Sequence, residues 1–159
     1  FYDIIDERLA SGKIKKYAIV MIDLDDFKQI NDTLGHQFGD KVLIETTGII
    51  SNKLKNEDII ARYGGEELIL FLNCNDESRN VYEEIDEIRY AISNHIVSKE
   101  GDHTSITASF GVAFYPFDGE TLEKVLNCAD KLLYKAKSEG KNKVEISQLF
   151  MNESLTVKR

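Results

Sequence analysis

Two short stretches carry side chains that could act together on a phosphorylated substrate. "DLDDFK", residues 23–28, sets three carboxylates within four positions directly after an apolar run. "RYGGEELIL", residues 62–70, places Gly64, Gly65, Glu66 and Glu67 inside another. Magnesium in phosphoryl-transfer sites usually takes a few carboxylate oxygens and leaves its remaining positions to water and phosphate. If Asp23 and Glu66 approach from neighbouring strands, they supply such oxygens, with Lys28, Lys137 and Lys141 as candidate counter-charges for phosphate. Each feature also has a plainer reading. Glutamates at a hairpin can simply blunt a solvated strand end, Asp25 and Asp26 suit the cap and first turn of a helix, and single lysines on helices are usually solvated. A calcium loop of the EF-hand type is excluded, because its sixth position requires glycine and Lys28 stands there.

The elements around these stretches follow from periodicity. "YAIVMID", Tyr17 to Asp23, is a continuous apolar run, the pattern of a strand covered on both faces. A helix is predicted over "DDFKQINDTLG", ending at Gly35, and a second over "FGDKVLIETTGIISNKLKN", with Asp40 in its first turn. "DIIARY" and "ELILFL" read as strands joined by Gly64 and Gly65 in a two-residue type I′ turn, which needs positive φ at both positions. Within "DESRNVYEEIDEIRYAISNHIVS", Val81, Ile85, Ile88, Ile92 and Ile96 share one helical face. "SITASFGVAFYPF" alternates as a strand closed by Pro116, and a last helix from Thr121 to Gly140 leads to a short final strand. Five strands with helices between most of them predict one α/β or α+β layered domain whose hairpin forces a mixed sheet. An aspartate pair after a strand also opens haloacid-dehalogenase-type phosphatases, although Phe27 stands where those enzymes usually carry Thr or Val.

Composition narrows the partners. With 159 residues the chain has the length of one domain, and twenty Lys and Arg against twenty-eight Asp and Glu leave a net charge of -8. That balance argues against a general nucleic-acid binder, and it means an anionic ligand needs local lysines or a divalent cation. Cys74 and Cys128 are isolated, which suggests neither a disulfide framework nor zinc, and a reducing cytoplasm is the simplest compartment. No apolar run approaches the roughly 20 residues of a membrane helix. The opening "FYDIIDERLASG" is helix-like without the order of a signal peptide, as expected of a piece of a longer protein.

Taken together, "DLDDFKQINDTLGHQFGD", "DIIARYGGEEL", "SITASFGVA" and "CADKLLYKAKSEGKNKV" resemble, in order and spacing, the motifs of the GGDEF domain family of bacterial diguanylate cyclases, from about Tyr17 to Val144. The resemblance implies a central five-stranded sheet wrapped by helices, similar to nucleotidyl cyclase and polymerase palm domains, with a β-hairpin carrying "GGEEL". It implies residues 1–147 as a single such domain, 148–159 as a tail, and a sensor region upstream in the full-length protein. The implied reaction condenses two GTP molecules into cyclic di-GMP with release of pyrophosphate, at a homodimer interface and with two Mg²⁺ or Mn²⁺ ions per site. By position, Asp23 and the Leu24 carbonyl, with Glu66 and Glu67, would hold metal, and Glu66 would serve as base for the 3′-hydroxyl. Gly64 and Gly65 would lie against the phosphates, Asn31 and Asp40 would read guanine, and Phe27, Lys28, Lys137 and Lys141 would surround the triphosphate. Lys141 stands where the family usually has arginine, which turns a bidentate clamp into a point charge. The inhibitory RxxD motif reads "KNED", so Lys55 replaces its arginine while Asp58 keeps its acid. A silent GTP-binding module is the competing reading. An ATP-using cyclase fits less well, since the Asp40 carboxylate suits guanine better than adenine.

Overall fold

A computed structural model describes residues 1–148. Its elements are α1 (Tyr2–Ala10), β1 (Tyr17–Leu24), α2 (Phe27–Leu34), α3 (His36–Ser51), β2 (Ile59–Arg62), β3 (Glu67–Asn73), α4 (Val81–Ser93), β4 (Ile96–Lys99), β5 (Asp102–Ser105), β6 (Ala108–Tyr115), α5 (Leu122–Ser138) and β7 (Val144–Ile146). Five strands form one mixed sheet, as the element order predicts, and they lie in the order β2-β3-β1-β6-β7. Pairing is antiparallel except between β6 and β7. Most of the predicted tail, residues 149–159, lies outside the described residues.

The sheet is covered on both faces because its central strands are apolar along most of their length, with Asp23 and Ser109 the polar exceptions in β1 and β6, which are buried almost throughout. Even-numbered residues of β1 join Leu68, Leu70 and Leu72 of β3 in a core with Phe27, Phe38 and Val42 of α2 and α3 and Ile85 and Ile88 of α4. Tyr17, Ile19 and Met21 join Ile69 and Phe71 in a second core with Ile5 of α1 and Val125, Ala129 and Leu133 of α5. The domain is therefore three layers: α2, α3 and α4, then the sheet, then α1 and α5.

Four local expectations are corrected. The helix predicted to run to Ser98 stops at Ser93, because Ile96 and Val97 open a separate β4–β5 hairpin in which Val97 is buried and Ile96 exposed. The turn between β2 and β3 is a four-residue loop, Tyr63 to Glu66, and neither Gly64 nor Gly65 has the positive φ of a type I′ turn. Asp25 and Asp26 do not cap α2 through their side chains: Asp26 takes the N-cap position with φ 55° and makes no side-chain cap bond, and Asp25 bonds elsewhere. Asp40 falls just beyond the first turn of α3, which begins at His36.

One contact sets the height of α5 above the sheet. A Cβ built on Gly111 of β6 would lie 2.1 Å from the Ala129 carbonyl oxygen and 2.3 Å from the Leu133 amide nitrogen, both rigid helix backbone. The missing side chain lets α5 rest directly on β6. Gly111→Ala must therefore push the helix outward, and we expect it to destabilise the domain by about 3 kcal/mol, the upper part of the range for overpacked cores. Thermal unfolding should fall by about 10 °C for a chain of this size. A melting temperature within about 2 °C of the parent would contradict this packing.

Candidate active site

The antiparallel register of β1 and β3 pairs Asp23 directly with Glu67. Residues opposite one another point to the same face, here the α5 side. Glu67, rather than Glu66, is thus the cross-strand neighbour of Asp23, which corrects the expected approach of Asp23 and Glu66 on adjacent strands. Glu66 lies in the loop just before β3, and its backbone carbonyl accepts from the Leu24 amide at 3.2 Å. All three carboxylates are consequently held at the end of β1 by main-chain bonds.

Like charge concentrates here. Burial and then the nearby Asp23 and Asp130 carboxylates push the Glu67 carboxyl above its ordinary range, while Lys137 pulls it back and Glu66 adds to the rise. Lys137 of α5 reaches across to Asp23, with Nζ 3.0 Å from Oδ2. Asp130 was missed in the sequence reading. It lies seven residues before Lys137 on α5, two helical turns apart on one face, and that spacing was the available signal.

The loop between the strands is shaped by its glycines and by Arg62. Arg62 folds over it, donating from Nε to the Gly64 carbonyl at 3.0 Å and from Nη2 to the Gly65 carbonyl at 2.6 Å. A Cβ on Gly64 would come within 2.5 Å of Glu67 Oε2, so that glycine makes room for the carboxylate. Gly65 has open space beside it, with nothing among the described residues within 4 Å of where its Cβ would stand. The loop backbone is accessible to a ligand at that point.

Across the sheet edge, Phe27 is buried under α2 and α3, and Asn31 sits so close to α3 that a Cβ on Gly39 would lie 1.8 Å from its Oδ1. That oxygen is buried and has no hydrogen-bond partner among the described residues. Asp40, the next residue after Gly39, is exposed, as is Lys28 on α2. Lys141 follows α5 and pairs with Asp26, Nζ to Oδ1 at 2.6 Å, and this bond raises its pKa.

Lys55 and Asp58 lie apart from this cluster, before β2. The Asp58 side chain is fully buried, and the equally buried Arg79 grips it in a fork, Nη1 to Oδ1 and Nη2 to Oδ2 both at 2.8 Å. Asp58 also accepts from the Lys55 and Asn73 amides at 2.8 and 3.0 Å. Arg79 in turn binds Glu84 and the Asn73 carbonyl. Burial works against the Arg79 charge, but its bonds to Asp58 and Glu84 prevail and raise its pKa. Sequence reading gave no hint of Arg79, which stands in a polar loop twenty-one positions away.

The donor set suits a hard cation: carboxylate and carbonyl oxygens with excess negative charge. Among the described residues no three His, Cys, Asp or Glu side chains already form a closed cage. An ion such as magnesium, which keeps several water or phosphate oxygens, does not require one.

Known proteins resemble this chain. A family profile described as "Diguanylate cyclase, GGDEF domain" covers residues 1–143. Diguanylate cyclase A of Treponema denticola is 39% identical over 153 residues, covering 93% of this chain and 41% of that protein. The chain thus spans about two fifths of that relative's length. The GGDEF domain of DgcB from Caulobacter crescentus, solved in complex with c-di-GMP, superposes with a TM-score of 0.81 at 31% identity, covering 92% of this chain and 87% of that one. The active GGEEF domain of a diguanylate cyclase from Vibrio cholerae superposes with a TM-score of 0.74 at 27% identity, covering 90% of this chain and 87% of that one. By sequence, sheet order and the placement of its "GGEEL" hairpin against β1, the chain belongs to the diguanylate cyclase GGDEF domain family.

Proposed function

We propose that this domain is a catalytically competent diguanylate cyclase that joins two GTP molecules into cyclic di-GMP and releases two pyrophosphates. The observation that carries this reading is the pairing of Asp23 with Glu67, one residue from Glu66 and beneath Lys137, at a loop whose Gly65 backbone is open. Asp23, Glu66 and Glu67, with the Leu24 carbonyl, would hold two Mg²⁺ or Mn²⁺ ions per site. Such ions polarise the α-phosphate and lower the pKa of an attacking hydroxyl.

The chain's own groups account for the remaining steps. Glu66 accepts the proton of the 3′-hydroxyl, whose oxygen then forms a bond to the α-phosphorus of the second nucleotide as the bond to pyrophosphate breaks. Lys137 and Lys141 are ion-paired with Asp23 and Asp26 in the free protein and exchange those partners for phosphate oxygens when nucleotide binds. Lys28 adds charge at the start of α2, and Phe27 packs the base of the pocket. Asn31 reads the guanine edge beside Asp40, which accepts from the guanine N1 and N2 hydrogens. The same site in a second copy presents the partner nucleotide, so turnover requires a homodimer. An upstream sensor region would govern that encounter in the full-length protein, in the cytoplasm where GTP is supplied. No helix among the described residues is long and apolar enough to cross a membrane, and the net charge of -8 argues against a general nucleic-acid binder.

Incubation with GTP and magnesium, followed by mass analysis, should yield cyclic di-GMP at a rate that rises more than linearly with protein concentration. Glu66→Gln should lower that rate at least about a hundredfold, the lower bound for a lost general base, while the melting curve stays unchanged. Undiminished turnover in that variant would contradict the role of Glu66. Feedback inhibition should be weak, because Arg79 already occupies Asp58 and Lys55 cannot grip guanine or phosphate as a bidentate arginine does. Initial rates should hold when low-micromolar product is added, and half-inhibition at that level would contradict the reading of this site.

A further inference from the structure

Asp25 is buried, yet it touches neither the carboxylate cluster's partner Lys137 nor the cap of α2. Its side chain accepts three bonds from protein: Ser109 Oγ to Oδ1 at 2.7 Å, Thr107 Oγ1 to Oδ2 at 2.7 Å, and the Asn142 amide to Oδ2 at 3.0 Å. Its own amide donates to the Thr107 carbonyl at 2.9 Å. One residue therefore ties the end of β1 to the start of β6 and to the loop that follows α5.

That loop is in a conformation that side chains resist. Gly140, Lys141 and Asn142 have φ of 114°, 61° and 46° in succession, all in the left-handed region. Glycine accepts this readily and asparagine tolerates it, but lysine holds such a conformation only where its surroundings fix it. Three bonds do so here. The Lys141 amide donates to the Ala136 carbonyl at 3.0 Å, closing the end of α5, Arg89 Nη1 donates to Asn142 Oδ1 at 3.0 Å, and Asp25 holds the Asn142 amide. The side chain of Lys141 then returns to Asp26, the neighbour of Asp25, which is itself left-handed. Both the backbone and the ammonium group of Lys141 are thereby referenced to the Asp25–Asp26 step.

We propose that Asp25 is a positioning residue that aims Lys141 at the nucleotide triphosphate by holding the backbone of Asn142. This rests on the reading that Lys141 contacts the triphosphate. Asp25 itself does not touch the nucleotide, since both its oxygens are committed to protein donors. A carboxylate next to a polyphosphate site would otherwise repel the ligand. Its enclosure by two hydroxyls and an amide turns that liability into an anchor.

The test is a double-mutant cycle on binding of guanosine 5′-(α,β-methylene)triphosphate with magnesium, which reports affinity without turnover. Lys141→Ala should weaken binding about tenfold, the loss of one charge-assisted contact. Asp25→Ala should weaken it by a similar factor, and the double variant should bind no more weakly than Lys141→Ala alone, because Asp25 acts through Lys141. If Asp25→Ala melts below the assay temperature, Asp25→Ser replaces it; its hydroxyl is too short to span the three donors, and the same cycle applies. Additive losses in the double variant, or wild-type binding by the Asp25 variants, would overturn the proposal while leaving Lys141 at the triphosphate. Wild-type binding by Lys141→Ala would overturn the phosphate role of Lys141 and the Asp25 proposal with it.

Discussion

The site depends on one constraint, the register of β1 against β3. In an antiparallel pair a slip of one residue would turn every side chain to the opposite face. Here the register is held by two cores at once, with Ile22 and Leu68 committed to one side of the sheet and Met21 and Ile69 to the other. The next pair along is Asp23 with Glu67. Like charges in directly opposed positions destabilise a sheet, so the apolar pairs behind them must enforce a contact the carboxylates oppose. Such local conflict is characteristic of functional sites, and burial first, then the Asp23 charge, push the Glu67 carboxyl above its ordinary range.

The other parts of the site hang on that edge from different layers. Lys137 comes from α5, whose distance from the sheet is set by Gly111, and reaches Asp23 from that side. Asn31 and Asp40 come from the opposite layer, where the Asn31 and Phe27 side chains of α2 pack against Gly39 of α3. The hairpin loop is joined to β1 through the Glu66 carbonyl and the Leu24 amide and is folded by Arg62. Asp25, one strand position beyond Leu24, anchors the loop carrying Lys141. The proposed phosphate and base contacts would thus be carried by rigid elements that meet where β1 ends, the position at which open sheets commonly place ligands.

Much of this was legible in the amino-acid sequence, because apolar runs without alternation mark strands covered on both faces and such strands leave few arrangements. β1, the hairpin, β6 and α5 emerged with nearly their observed limits. What escaped was governed by contacts between distant residues. Ile96 continued the helical spacing of Ile85, Ile88 and Ile92, but the Asn94 and His95 turn diverts the chain into β4. The glycine pair suggested a tight turn, whereas the Tyr63 and Gly64 amides both close on the Glu67 carbonyl and widen it to four residues. Asp25 looked like a helix cap because only proximity to Ser109, Thr107 and Asn142, more than eighty positions away in each case, reveals its bonds. Arg79 was invisible for the same reason.

Anomalous diffraction from crystals grown with Mn²⁺ and a GTP analogue that cannot release pyrophosphate would test the central claim most directly. The account predicts a manganese peak at about 2.0–2.2 Å from the Asp23 carboxylate, within reach of the hairpin glutamates, with Lys137 moved from Asp23 to phosphate. A bound analogue with no metal at Asp23, and Lys137 still paired with that carboxylate, would contradict it.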